Sequence, residues 1–186
     1  MSDGFTLRRA GADDIAPLNA LIAASVRRLG AAYYSPEQIE SSLRHMFGVD
    51  TQLVADGTYF VIEDASGVRV ACGGWSGRQT LFGGDQHKAS EGIADVVIDT
   101  TLPARIRAFF VHPDRARRGL ARRLYDHCAA EARSAGFQSL ELMGTLPGVP
   151  LYRSLGFTTI EPVGITLPDG VVIPCERMGR PLDRER

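Results

Sequence analysis

Arg115, Arg117, Arg118, Arg122 and Arg123 crowd around Gly119 within one stretch, RIRAFFVHPDRARRGLARRLY, from Arg105 to Tyr125. Arginines in such a cluster suit a phosphate, because each guanidinium presents a planar fork of donors to the anion's oxygens. A glycine loop opening a helix adds backbone donors of the same kind. The first N–H groups of a helix lack partners within it, and the helix dipole favours negative charge there. The competing reading is a solvated basic helix start, since charged helix faces are common.

The elements that would position this cluster can be read on either side of it. Ile106, Ala108 and Phe110 alternate with Arg105, Arg107 and Phe109 before Val111, the period of a strand with one buried and one partly wet face. Pro113 stops the strand, and Asp114 to Gly119 carries turn and helix-start chemistry. Leu120, Leu124 and Cys128 beside Ala121, Tyr125, Ala129 and Ala132 then form the buried stripe of a helix that ends at Gly136.

Upstream, Phe5 to Arg9 fits a first strand, and Ile15, Leu18, Ile22, Val26 and Leu29 fit an amphipathic helix with Pro17 in its first turn. Ser35-Pro36-Glu37-Gln38 has the cap, the proline and the capping-box partner of a second helix start, followed by the stripe Ile39, Leu43, Met46 and Phe47. Tyr59 to Glu63 and Val68 to Cys72 read as a hairpin across Asp64 to Gly67. Gly73 to Pro103 reads as a long glycine-rich loop, a functional lid or a mobile segment. Downstream come a strand over Ser139 to Met143, a loop over Thr145 to Val149, a short helix around Pro150 to Leu155, and a strand from Phe157 to Glu161. A turn at Asp169-Gly170 leads into a last strand through Met178, and a charged tail follows Gly179.

The chain has 186 residues, 44% of them hydrophobic and 23% charged, which bounds it to one ordinary domain with a sizeable core. A formal net charge of -1 supplies no general pull toward nucleic acid or membrane. Cys72, Cys128 and Cys175 are widely spaced and form no CxxC pair, which argues against structural disulfides or a zinc site and fits a reducing cytoplasm. No signal-peptide pattern opens the sequence, and no apolar run is long enough to span a bilayer, so a cytoplasmic location is expected.

Two segments resemble a known family. VHPDRARRGLARRL is similar to motif A of the GCN5-related N-acetyltransferases, where a strand ends in V-x-P and a loop of the form [QR]-x-x-G-x-[GA] binds the pyrophosphate of acetyl-coenzyme A. Gly119 and Ala121 match its last two defined positions, and Ala116 stands at the first. Pro150 to Phe157, PLYRSLGF, looks like motif B, [FL]-Y-x-x-x-G-F. The resemblance makes Tyr152 the general acid that protonates the departing thiolate, a task a phenol in a dry pocket can perform. Thr145 stands where many members carry an asparagine, seven residues before the tyrosine.

From the resemblance follow the remaining expectations. The fold would be a mixed α/β domain with a splayed, mostly antiparallel sheet flanked by helices. Acetyl-CoA would be held by Phe110, Val111, Arg117, Arg118, Gly119, Leu120, Ala121, Arg122, Thr145 and Tyr152, with no metal. An amine would attack the thioester directly, its carbonyl polarised by N–H groups near Phe110 and Val111. Family members often carry a glutamate base on the central strand; Arg105 and Arg107 occupy that strand here, which leaves Glu141 as the candidate, with His112 as a second. Among Tyr33, Tyr34, Trp75, Arg78 and His87, the acceptor pocket is assigned to Tyr33, Trp75 and Arg78, the arginine favouring a carboxylate. Homodimers are common in the family.

The reading is an acetyl-CoA-dependent N-acetyltransferase acting on a primary amine of a small molecule or protein. The alternative is an acyl-CoA-binding sensor or partner domain that does not turn over. A nucleic-acid binder fits least, because no aromatics interleave with the arginines. No G-x-G-x-x-G opens the chain, which removes a dinucleotide fold.

Overall fold

The computed structural model describes residues 4–79, 84–85 and 98–182. Seven strands form one sheet in the order β1-β2-β3-β4-β5-β7-β6. They are β1 (Phe5–Arg9), β2 (Tyr59–Asp64), β3 (Arg69–Ser76), β4 (Ala104–Val111), β5 (Ser139–Thr145), β6 (Thr158–Thr166) and β7 (Val172–Pro181). All neighbours are antiparallel except β4 and β5. Five α-helices accompany them among the described residues: α1 (Ile15–Gly30), α2 (Pro36–His45), α3 (Thr51–Ala55), α4 (Leu120–Ser134) and α5 (Val149–Ser154). None is long and apolar enough to cross a membrane.

Each face of the sheet has its own apolar core. On one, Leu120, Leu124, Cys128 and Ala132 of α4 meet Phe60, Val70, Ile106 and Leu140, with Val149 of α5 and Leu155 just after it extending the cluster. On the other, Leu18 and Ile22 of α1, Ile39 of α2 and Leu53 of α3 cover Tyr59, Val61, Cys72 and Cys175. The stripe expected for α4 is therefore the stripe that is buried. The capping box of α2 forms as its spacing implies: the Ser35 hydroxyl accepts from the Gln38 N–H at 3.1 Å, and the Gln38 side chain accepts from the Ser35 N–H at 2.9 Å.

Several elements differ from the sequence reading. β3 continues through Gly73-Gly74 to Ser76, where a loop is expected. The glycines stay in the strand because its neighbours require them: a Cβ on Gly73 would collide with the Phe109 ring, and one on Gly74 with the Thr58 carbonyl. α3 has no counterpart in the sequence reading; Asp50 starts it, its carboxylate accepting from the N–H groups of Gln52 at 3.2 Å and Leu53 at 3.4 Å. β7 runs past Gly179 to Pro181, two residues into the expected tail. Most of the expected lid, including His87, lies outside the described residues.

The decisive feature is the β4–β5 pair. Its ladder holds only Ala104 opposite Leu140 and Arg105 opposite Glu141. Beyond this the strands part. On its other side β4 stays with β3, but the register shifts between Cys72 and Gly74. The extra residue lies at Ala108, whose φ of 52° marks a bulge. The Ala108 carbonyl accepts from the Tyr59 hydroxyl at 3.1 Å, so the bulge does not leave it buried without a partner.

Candidate functional site

A cleft of about 770 Å³ opens where β4 and β5 separate. One wall is Phe109, Phe110 and Val111 of β4, whose β5-facing backbone lies outside any ladder with that strand. The opposite wall is Thr145, Pro147, Gly148, Leu151 and Tyr152. One rim is the turn into α4, and Val26, Leu29, Tyr33 and Tyr34 from α1 and the connection after it close over the top.

The turn into α4 has the conformation an anion loop needs. Gly119 sits at φ 77°, ψ 4°, with no side-chain cap on the helix start, and a Cβ there would meet nothing within 4 Å. Arg117 is also left-handed, at φ 66°. Such residues turn successive N–H groups toward one side, and a helix of fifteen residues stands behind them. Arg117, Gly119, Leu120, Ala121 and Arg122 line the cleft; Arg118 is exposed and does not. An anion at this turn would meet backbone donors and two flanking guanidiniums, and the Ala116 side chain offers no polar group.

Tyr152 stands at the other end, against the Phe157 ring at 5.9 Å between centroids. Gly148 makes room for it: a Cβ there would come within 2.9 Å of the tyrosine ring. Burial pushes the Tyr152 phenol above its ordinary value and is the only cause of that shift. The hydroxyl thus stays protonated at neutral pH. A second tyrosine, Tyr34, fixes the same wall. Its hydroxyl donates to the Pro174 carbonyl at 2.8 Å and accepts from the Leu146 N–H at 2.9 Å, bridging the α1–α2 connection to β7 and to the loop after β5. Two neighbouring tyrosines before a capping box are the sequence signal; that Tyr34 rather than Tyr33 holds the loop could not be read there.

Besides Arg118, four expected residues do not join the cleft. Glu141 lies at the paired end of β5, bonded to Arg105 and, at 3.0 Å, to Arg177, so its carboxylate is committed to two guanidiniums. Trp75 is buried against Phe137 under α4 and donates its indole N–H to Glu131 at 3.1 Å. Arg78 pairs with Asp56 at 2.9 Å. Each of these three side chains is engaged by a neighbour outside the cleft. His112, the second base considered, accepts from the Asp114 N–H at 3.2 Å and so caps the turn after β4. Tyr33 does line the cleft and is half exposed.

A profile of the acetyltransferase (GNAT) family matches residues 24–157, well over half of the chain. The chain belongs to that family. Solved structures with the same fold include a GCN5-related N-acetyltransferase from Rhodopseudomonas palustris, 20% identical with a TM-score of 0.68 over 95% of each chain. The PaiA N-acetyltransferase from Thermoplasma acidophilum in complex with coenzyme A is 13% identical, with a TM-score of 0.63 over 97% of this chain and 99% of its own. YncA from Salmonella typhimurium, solved with its cofactor acetyl-CoA, is 18% identical, with a TM-score of 0.62 over 98% and 96%. A search of curated proteins finds no significant match to this chain. In this GNAT chain the matched segment spans both the turn into α4 and Tyr152.

Proposed function

We propose that the protein transfers an acetyl group from acetyl-CoA to a primary amine of a small molecule or peptide, by direct attack. The observation that supports it is the single cleft with an anion-binding turn at one end and a protonated, buried tyrosine at the other. The residues suit the co-substrate. Gly119 to Arg122 would hold its pyrophosphate, and the β5-facing backbone of Phe109 to Val111 would hold the pantetheine arm and acetyl carbonyl along an unpaired strand edge. Thr145 offers a hydroxyl to the same arm.

When bound, acetyl-CoA supplies an acetyl carbon activated by its thioester. The cleft holds the amine nitrogen against that carbon, removing much of the entropic cost of a two-substrate reaction. The N–H groups of β4 that face the cleft favour negative charge on the carbonyl oxygen as the C–N bond forms. Tyr152 gives its proton to the sulfur as the C–S bond breaks. The nitrogen then releases one proton to water, and Tyr152 is reprotonated, so the protons balance. Glu141 is tied to two arginines, which supports an amine that enters neutral or loses its proton through water.

Calorimetric titration with acetyl-CoA, together with thiol release across amines, amino acids and peptides, tests this reading. Saturable binding with release on one amine class is the expected result. Binding with no release on any acceptor would favour the sensor alternative, and absence of binding would remove the assignment of the cleft.

A further inference from the structure

This inference rests on the acetyltransferase reading and on Tyr152 as its acid, and it concerns what sets that acid in place. The ladder between β5 and β7 ends at Thr145 opposite Cys175, so Leu146 and Pro174 would form the next pair in the same register. The Tyr34 hydroxyl stands between them instead. It accepts from the Leu146 N–H at 2.9 Å and donates to the Pro174 carbonyl at 2.8 Å. We propose that Tyr34 is a positioning residue for the transfer step, its interposed hydroxyl turning the chain out of β5 so that Tyr152 meets the leaving sulfur.

The ladder has a weak point here, because Pro174 has no N–H and a direct pair could form at most one backbone bond. A hydroxyl donates and accepts at once, so one oxygen satisfies both strands while holding them apart. Tyr34 is 8% exposed, and burial, the largest cause, raises its phenol above the ordinary value. The hydroxyl therefore keeps the proton that it gives to Pro174. The anchor is itself fixed. The Tyr34 N–H donates to the Gly30 carbonyl at 3.0 Å, closing the end of α1, and the capping box of α2 starts at the next residue.

Beyond Leu146 the chain turns at once toward the acid. The Gly148 N–H donates to the Thr145 carbonyl at 2.8 Å, and the Gly148 carbonyl accepts from the Tyr152 N–H at 3.1 Å as α5 begins. Tyr34 is thus tied to Tyr152 through Leu146, the Thr145–Gly148 turn and the first turn of α5. Misplacing a reacting group by about 1 Å can cost on the order of 10²-fold in rate. The turn into α4 and the free edge of β4 do not belong to this chain of contacts. Loss of the Tyr34 hydroxyl should therefore slow proton delivery and spare cofactor affinity.

The test is a double-mutant cycle on kcat, in thiol release at saturating acetyl-CoA and acceptor, with Tyr34→Phe, Tyr152→Phe and the double variant. Tyr34→Phe keeps the ring and removes only the interposed oxygen. We expect it to lower kcat about tenfold or more, with the Kd for acetyl-CoA by calorimetry within about twofold of wild type. In the Tyr152→Phe background the same substitution should change kcat by less than about twofold, because no acid remains to be placed. A tyrosine that only stabilises the fold would give the same factor in both backgrounds, and that result would overturn the inference. So would an unchanged kcat in Tyr34→Phe, or a loss of acetyl-CoA affinity in place of rate. Leu146→Pro reaches the same bond from its other partner, since it removes the N–H, and Thr145 before it is a strand residue that suits a following proline. It takes the place of Tyr34→Phe in the cycle if that variant does not fold, with the same expectations. A wild-type rate in Tyr152→Phe would overturn the inference and leave the acetyltransferase reading intact, whereas failure to bind acetyl-CoA would overturn both.

Discussion

β4 and β5 are joined at one end and parted at the other, and the two ends use different materials. At the joined end, Ala104 to Arg107 are buried, and the charges are paired: Arg105 with Glu141, and Arg107 with Asp50. At the parted end, Ala108 to Val111 are half-buried, a left-handed alanine shifts the register, and Gly148 gives up its side chain so that Tyr152 fits. The joined end is marked by buried charge pairs, one of them across β4 and β5, and the parted end by backbone irregularity and missing Cβ atoms. Substitutions should therefore separate cleanly: those at the parted end should cost binding and turnover, and those at the joined end should cost stability.

The largest effect is expected at the parted end. Gly119→Glu should weaken acetyl-CoA binding by about 10³-fold or more, equivalent to roughly 4 kcal/mol, by placing a carboxylate against the pyrophosphate. The left-handed backbone adds a strain of about 1–2 kcal/mol for a side chain at this φ. Gly119→Asn, which tolerates that conformation, separates strain from charge and should keep most of the affinity. Calorimetry with a parallel thermal melt checks both. Equal loss in the two variants would mean that backbone geometry, and not the anion, is what the position protects.

Glu141→Gln comes next and probes the joined end. It leaves Arg105 buried without its carboxylate, which should cost about 3 kcal/mol of stability, read by urea unfolding. If the folded variant instead loses turnover with unchanged stability, Glu141 acts in the chemistry after all.

The parted end was legible in sequence and the joined end was not, for a physical reason. A binding turn needs a residue of special backbone freedom, which Gly119 supplies, and Gly119, Ala121 and Tyr152 stand out through their resemblance to two short family motifs; the stripe of α4 and the capping box of α2 are local patterns too. Ion pairs across a sheet need only opposite charges that the fold brings together. Arg105 and Glu141 are far apart in the chain, and alternation alone placed Arg105 and Arg107 on a wet face. The continuation of β3 through Gly73-Gly74 was hidden because glycine is read as a breaker, whereas here it makes space for Phe109. Trp75 was hidden for a similar reason: its partners Phe137 and Glu131 come from distant segments.

Tyr152→Phe should have a smaller effect, about 10²-fold in kcat, with acetyl-CoA affinity nearly unchanged because the ring packing on Phe157 survives. Since burial raises the phenol's pKa, the wild-type rate should show no loss of the acid through the mildly alkaline range. A rate equal to wild type on a confirmed acceptor would remove Tyr152 from the chemistry.

The smallest effect concerns charge pairing away from both ends, where β1, β2 and β3 meet. Asp14 is 3% exposed and accepts from Arg8 at 2.8 Å and from Arg69 at 3.0 Å. The Arg8 guanidinium holds its carboxyl well below the usual carboxylate range, against the opposing pull of burial, and the Gly11 N–H helps. A depressed pKa contributes stability that is fully present above the unfolded value, near 4 for an aspartate. That stability is lost as pH falls below it toward the folded value. Thermal melts between pH 6 and pH 2 should therefore show a falling acid limb that is shallower in Asp14→Asn, which starts from a lower Tm at neutral pH. Acetyl-CoA affinity in that variant should match wild type, since Asp14 touches nothing in the cleft. An acid limb as steep as wild type would mean that other carboxylates carry the acid sensitivity and that pairing at this edge adds little to closure.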